Sequence, residues 1–309
     1  MKVLITGAAG LVGQNLCQRL KQSSEVLIHA VDKDSHNLAV LKKLNPEIQA
    51  DVLDLAEEES YACLDADYDC VIINHAQISA KKYDEFERNN ILATEYLINY
   101  LQSHSCPNII HISSSVVNSE ADDFYSSTKT KQEQLVMAAF PNVIVLRPTL
   151  MFGPLDRKHL GWLARFMMSS PIFPIPGDGK YIRQPLYVGD FVEVIARSIE
   201  GKVPCGTYNI SGVEYIYYID IINKIKKVTG SKCMVFKINF LLFKYLLKFY
   251  AIFSKNPPFT ADQLNALVIP EVFEISDWPN QTGVTPTEFE RALHLTFQRS
   301  VFKNVKLKF

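Results

Sequence analysis

Over the first half of the chain, short runs of contiguous apolar residues alternate with longer stretches whose apolar positions recur at helical spacing. Val3–Ile5 is apolar throughout and rich in β-branched residues, as expected of a parallel strand covered on both faces. Leu11–Gln22 follows with Leu11, Leu16 and Leu20 on one helical face. The same reading predicts strands over Val26–Val31, Ile48–Ala50, Val71–Asn74, Asn108–Ile112 and Val143–Leu146. It predicts helices over Leu38–Leu44, Tyr83–Ser103 and Tyr125–Phe140. Strands alternating with helices in this way imply an α/β fold, a doubly wound parallel sheet with right-handed crossovers.

The pattern breaks after Arg147-Pro148. Pro148, Pro154, Pro171, Pro174 and Pro176, with Gly153, Gly161, Gly177 and Gly179, make a loop-rich stretch suited to building a pocket over the sheet. The expected division is a nucleotide-binding unit over residues 1–152, with return segments near 185–210, and a smaller C-terminal substrate-binding domain over 153–309. The segment Val235–Phe253 is very apolar but carries Lys237, Lys244 and Lys248 on one side of a helical wheel. It has no uninterrupted apolar window of about 18 residues, so a spanning helix is not expected. The expectation is a core helix with a lysine-bearing solvent face; the alternative is a helix lying on a membrane surface.

Composition narrows the class. The chain has 309 residues, 48% of them hydrophobic and 21% charged, and a net charge of −1 from 32 basic and 33 acidic residues. That is an ordinary globular balance, without the basic field that nucleic-acid binding needs. The six cysteines form no C-x-x-C pair, so neither a metal site nor a disulfide framework is expected. Reduced thiols and a first apolar run too short for a signal peptide read as a cytoplasmic protein.

The chemistry begins at Gly7-Ala8-Ala9-Gly10-Leu11-Val12-Gly13, set between the first strand and the first helix. Gly7 permits a tight turn, Gly10 lets a pyrophosphate approach the backbone, and Gly13 allows close helix–strand contact at a helix N-terminus. Asp32 closes the second strand, 19 residues after Gly13. A carboxylate there accepts from ribose hydroxyls and repels an extra phosphate, so NAD is expected; Lys33 beside it keeps NADP as the alternative. A plain solvated loop aspartate is the competing reading of Asp32.

The G-x-x-G-x-x-G spacing resembles that of the short-chain dehydrogenase/reductase superfamily, in its extended, NAD-dependent epimerase/dehydratase branch. The resemblance implies a Rossmann-type sheet and further cofactor contacts: Asp51 and Val52 at the adenine, Asn74, His75 and Ala76 where the fourth strand meets the cofactor, and Asn90 on the following helix. Tyr125-Ser126-Ser127-Thr128-Lys129 is a Tyr-x-x-x-Lys pattern. One helical turn on, an ammonium lies on the tyrosine's face and would favour the phenolate of a group whose pKa is ordinarily near 10. An exposed surface pair is the ordinary alternative. Of Ser113-Ser114-Ser115, register with the family implies that Ser115 polarises the substrate oxygen and that Ser113 lies along the cofactor. Ser115 and Tyr125 stand ten positions apart, closer than in nucleotide-sugar epimerases.

Arg147-Pro148-Thr149 through Pro154, and Gly177 through Asp190, resemble the family's pocket segments, with Thr149 and Arg183 facing the substrate. Arg183 would grip a diphosphate through its planar fork, or else pair with Asp190. Tyr208-Asn209-Ile210 resembles a return strand that closes the pocket. Taken together these residues imply an NAD-dependent epimerase or ketoreductase acting on a nucleotide-activated sugar, with Tyr125, Lys129 and Ser115 catalytic and with dimerisation through the two long helices. The alternatives are a cofactor-binding scaffold or sensor subunit with little turnover, and a reductase of apolar or steroid-like ketones. Dehydration is disfavoured, because Ser114-Ser115 replaces the Asp-Glu pair usual in dehydratases of this branch.

Overall fold

The computed structural model describes residues 1–104, 106, 108–118, 123–253, 276–298 and 307, with the backbone alone at 248 and 250–253. Its strands are β1 (Lys2–Thr6), β2 (Leu27–Asp32), β3 (Gln49–Val52), β4 (Cys70–Ile73), β5 (Asn108–Ile112), β6 (Ile144–Pro148), β7 (Met151–Phe152), β8 (Ile172–Pro176), β9 (Ile182–Arg183), β10 (Leu186–Tyr187), β11 (Gly206–Ile210), β12 (Ile216–Tyr217) and β13 (Met234–Ile238). Seven of them form one parallel sheet in the order β11-β6-β5-β4-β1-β2-β3. The strand order reverses between β1 and β4, which opens a crevice at their carboxyl ends, the place where such sheets bind ligands.

Alternation along each strand divides the core. Val3 and Ile5 face one side of the sheet, beneath α1 (Leu11–Leu20). Leu4 faces the other, in a cluster with Leu97, Leu101 and Val136. α2 (Ser35–Leu44) starts three residues before the apolar pattern does, because Asp34 caps it by accepting from Asn37 N (2.9 Å). The long helix expected over Tyr83–Ser103 is divided: α3 (Tyr83–Phe86), a π-helical turn Glu87–Leu92, then α4 (Ala93–Ser103). α5 (Phe124–Ala139) is capped by Asp123, which accepts from Ser126 N (2.7 Å).

Beyond β6 the chain forms α6 (Leu160–Ser169), α7 (Val188–Ile199), α8 (Tyr218–Thr229), α9 (Phe240–Phe253), α10 (Trp278–Thr282) and α11 (Phe289–Phe297). α7 returns to the main sheet and joins the cluster under α1, where Trp278 is fully buried and its indole N–H donates to Ser211 O (3.0 Å). β11 also returns: it pairs in parallel with β6 at the edge of the main sheet, so Tyr208-Asn209-Ile210 extends the sheet rather than walling the pocket. A third cluster gathers Phe152, Leu163, Ile175, Ile221 and Phe289 from β7, α6, β8, α8 and α11.

The expectation for Val235–Phe253 is corrected. Met234–Ile238 is strand β13, paired in parallel with β8, and the helix starts only after Asn239, whose side chain accepts from Leu241 N and Leu242 N. Lys237 therefore belongs to a strand and shares no helical face with Lys244, while the Lys248 side chain lies outside the described residues. Nor is α9 a core helix with a polar outer face: Leu241, Leu242, Tyr245 and Leu246 are exposed, and Lys244 is half-buried. Among the described residues no helix is long and apolar enough to cross a membrane.

Candidate active site

The glycine turn occupies the crevice between β1 and β4. Gly7 has a φ of +60°, and a Cβ there would lie 2.8 Å from His75 Cα. A Cβ on Gly13 would lie 2.5 Å from both Cα and O of Ala8, so α1 presses on the turn too closely for any side chain. α1 has Gly10 at its N-cap and no side-chain cap, which leaves the first-turn amides around Leu11 and Val12 without a capping oxygen. The floor is tied together across the switch point: Asn74 N donates to Thr6 Oγ1 (3.0 Å) and Asn74 Nδ2 to Gly7 O (3.0 Å).

Asp32 ends β2 beside this turn. Its Oδ2 accepts from Ala9 N and its Oδ1 from Asp34 N, both at 2.9 Å. Burial raises the carboxyl above its ordinary value, and the two backbone N–H groups oppose the rise. Asp32 is thus not a solvated loop residue. It lines a cleft together with Gly7, Lys33, Leu53, Asp54, His75, Ala76, Gln77 and Asn89. Lys33 Nζ donates to Asn89 Oδ1 (2.7 Å).

Asp51 and Val52 stand elsewhere. Asp51 Oδ2 lies 2.9 Å from His29 Nε2 inside the β2–β3 pairing, and Val52 is exposed; neither lines the cleft. Leu53 and Asp54 line it instead. Burial would raise the Asp54 carboxyl, but Arg88 (Nη1–Oδ2 2.9 Å) holds it below the usual range. A second aspartate three residues after Asp51 was the available signal, and the strand's end decides between the two.

Asn90 sits in the π-helical turn, fully buried. Its Oδ1 accepts from Gln77 N (2.6 Å), and its Nδ2 donates to Gln77 O (3.2 Å) and Thr128 Oγ1 (3.0 Å). One side chain so ties the β4 loop to α5. π-turns recur at functional sites because they re-aim a side chain that a regular helix would misplace.

Tyr125 opens α5 against the end of β5. Ser126 Oγ donates to Val116 O (3.1 Å), which locks the start of this helix onto the 3-10 turn Ser115–Asn118. Residues 119–122 of the connecting loop lie outside the described residues. Ser113, Ser114 and Ser115 are all buried at the strand end. Burial raises the Tyr125 hydroxyl above its ordinary value, and a hydrogen bond with the Ser114 side chain opposes the rise. Of the three serines it is Ser114, the middle one, that offsets the effect of burial on this hydroxyl.

Lys129 is 1% exposed, so Tyr125 and Lys129 are no surface pair. Its Nζ donates to Ile112 O (2.9 Å) and Gln132 Oε1 (2.5 Å), and burial pushes the amine down to about 7. Gln132 Nε2 passes the network on to Thr94 Oγ1 (2.9 Å) and His75 O (3.3 Å). The His75 ring spans Thr6 Oγ1 and Thr94 Oγ1, both at 3.0 Å. Burial, reinforced by the charge of Lys129, pushes His75 down to about 3, so it is neutral. Gln132, which sequence reasoning passed over, is the hinge of this buried network; its i+3 spacing from Lys129 was the sign.

On the far side, β10 pairs with β7 directly beyond the end of β6, and Arg183 stands just before it in β9, which pairs antiparallel with β12. Arg183 is buried, donates through Nη1 to Ile182 O (2.8 Å) and lies 5.6 Å from the Tyr181 ring centroid. Asp190 accepts from Thr287 N (2.8 Å) and Thr287 Oγ1 (2.6 Å), which binds β10–α7 to the segment before α11. Thr149 Oγ1 donates to Gln184 O (3.2 Å) beneath the same region.

Comparison with known proteins fits this geometry. A family model described as NAD dependent epimerase/dehydratase family matches residues 3–211. A trifunctional UDP-glucose 4,6-dehydratase/UDP-4-keto-6-deoxy-D-glucose 3,5-epimerase/UDP-4-keto-L-rhamnose-reductase of Arabidopsis thaliana is 28% identical over 265 residues, covering 74% of this chain and 40% of that protein. The chain thus spans well under half of this relative. A 2-alkyl-3-oxoalkanoate reductase of Stenotrophomonas maltophilia is 24% identical over 324 residues, covering 93% of this chain and 95% of the relative. The UDP-glucuronic acid 4-epimerase of Bacillus cereus, solved in complex with NAD, superposes with a TM-score of 0.75 at 22% identity, over 98% of this chain and 100% of that one; the likeness is one of fold.

Proposed function

This chain belongs to the NAD-dependent epimerase/dehydratase family, and from that premise we propose that it oxidises or reduces an alcohol or ketone carbon of a nucleotide-activated sugar, with NAD as hydride carrier. The observation that carries the reading is the placement of Tyr125. It stands one helical turn before the buried Lys129, on a helix whose start is tied to the turn after β5 by Ser126 Oγ donating to Val116 O, and α5 is joined through Asn90 and Gln132 to the loop after β4.

The residues present fit NAD. Gly7 and Gly13 leave no room for a Cβ, the first turn of α1 carries no cap, and Asp32 offers a carboxylate at the cleft. Gly7, Gly10, Leu11, Val12 and Gly13 would hold the pyrophosphate and Asp32 the adenosine ribose, with Leu53 and Asp54 rather than Asp51 and Val52 nearest the adenine. His75, Ala76 and Ser113 would line the path to the nicotinamide. When bound, the nicotinamide ring supplies the hydride acceptor or donor.

Tyr125 takes the proton of the substrate hydroxyl on oxidation and returns it on reduction. Ser114 and Ser115 hold the substrate oxygen by donating to it. Lys129 would hold the cofactor ribose and, where it keeps its proton, favour the Tyr125 phenolate. Residues 1–152, with α7 and β11, form the cofactor half; α6, α8 and α11 back the substrate half, with Thr149 and Arg183 towards the substrate. An alkyl ketone is a second candidate substrate, favoured by the reductase that matches this chain across 95% of its own length.

A thermal-shift series separates the readings, since a ligand of the native state alone must raise apparent stability. NAD is expected to stabilise the protein more than NADP, and UDP- or dTDP-hexoses to add to that shift. A shift with a 3-oxo acid and none with any nucleotide would assign the alkyl ketone instead. Absence of any NAD effect would remove the proposal.

A further inference from the structure

The helix Phe240–Phe253 turns an apolar face outward. Leu241, Leu242, Tyr245 and Leu246 are 60%, 53%, 68% and 49% exposed. At about 100° per residue they share an arc of roughly 140°. Phe240, Phe243 and Leu247, on the opposite arc, are half-buried against the protein, and Lys244 stands at the edge between the two. The neighbouring β13–β8 pair continues the theme: Met234 is exposed and lies in register with exposed Ile172.

Charge identifies the occupant of this face. Residues 221–253 hold seven lysines and no acidic residue, in a chain whose net charge is −1, so the compensating negative charge lies elsewhere. Lys224 and Lys227 are neutralised by Glu290. Among the described residues Lys232, Lys237 and Lys244 make no ion pair. An exposed apolar arc with an ammonium at its edge, within an acid-free lysine-rich segment, matches a surface that offers hydrocarbon below and anionic headgroups above. A protein partner would need acidic and apolar groups in the same order. A second copy of this face would set lysine-rich segments against each other, which costs rather than gains.

We infer that α9 docks this protein on an anionic lipid surface, with Leu241, Leu242, Tyr245 and Leu246 entering the acyl boundary and Lys232, Lys237 and Lys244 meeting the headgroups. Burial of four large side chains supplies the apolar part, and the lysine contribution weakens with salt. Because the face lies on α9, away from the cleft-lining residues, docking requires no turnover.

The experiment is co-flotation of the full chain with vesicles of phosphatidylcholine alone and of phosphatidylcholine mixed with phosphatidylglycerol, for wild type and for the Leu242→Glu/Leu246→Glu double variant. The wild type is expected to float with the anionic vesicles, less so at high salt, and at most weakly with the neutral ones. The double variant should float at least about tenfold less while keeping its melting temperature and its response to NAD. Failure of the wild type to float with anionic vesicles, or equal flotation of the two proteins, overturns the inference. So does a wild-type dimer in analytical ultracentrifugation that the double variant dissociates, because the face would then belong to a second copy. A double variant that loses stability without any lipid binding by the wild type would show that the protein's own residues cover the face.

Discussion

The ammonium of Lys129 has one backbone carbonyl and one amide oxygen for company, and burial lowers its pKa from 10.5 to about 7. An unfolded chain therefore keeps this proton over a pH range in which the folded protein has released it. In that window, from about 7 up to 10.5, stability rises with pH, by up to about 1.4 kcal/mol per unit. Below it both states carry the charge and the burial cost is present in full. Urea unfolding of wild type and Lys129→Met should show the wild type gaining about 2 kcal/mol on the variant between about pH 7 and pH 9. A parallel pH dependence would mean that Lys129 is charged throughout. Tyr125 acts on turnover rather than on stability: Tyr125→Phe is expected to lower kcat by about 10²–10⁴-fold, with the NAD-induced thermal shift unchanged. The serine run shows where residue-level reading stopped. Three adjacent hydroxyls have one spacing from the tyrosine each, and spacing does not choose among them; the turn Ser115–Asn118, tied to α5 through Ser126, sets how the run meets the helix.

Two elements hold the cleft in shape. The turn Gly7–Gly13 is set by contact: a methyl group at position 13 would meet Ala8 backbone at 2.5 Å. Gly13→Ala should cost about 1–3 kcal/mol through overpacking, read by urea unfolding, and should abolish the thermal shift with NAD. The π-turn Glu87–Leu92 aims Asn90 at both Gln77 backbone groups. Asn90→Ala, which leaves those groups unpaired, is expected to cost about 1–3 kcal/mol and to weaken NAD binding more than it slows bound turnover. These elements differ in how readable they were. Glycine spacing between a strand and a helix carries its own explanation, so the turn and Asp32 were legible. The π-turn was not, because one inserted residue leaves apolar periodicity almost unchanged. Asp54 was missed in favour of Asp51 because side chains alternate across a strand, and where β3 ends decides which carboxylate reaches the cleft. In Val235–Phe253, four strand residues and a helix share one apolar run, and periodicity cannot divide them until Asn239 is recognised as a cap.

At the scale of the molecule, the parallel sheet followed from the β-α alternation, since each strand is covered on both faces and its helix is amphipathic in turn. The second half was less legible because its contacts are distant in sequence: β11 joins β6, Asp190 holds Thr287, and Trp278 is buried beside α7. Those long-range ties join the second half of the chain, Arg183 in β9 included, to the sheet that carries the glycine turn. Redox chemistry is the outcome expected of the glycine turn, Asp32 and the Tyr125–Lys129 helix on one sheet. The most direct test follows product formation by NMR, with wild type and Tyr125→Phe, from UDP- and dTDP-hexoses or a 2-alkyl-3-oxo acid in the presence of NAD or NADH. A new product from one of these substrates with the wild type, and at least about 100-fold less with Tyr125→Phe, is the expected result. Tight NAD binding with no product from any of them, or a variant as active as the wild type, would contradict it.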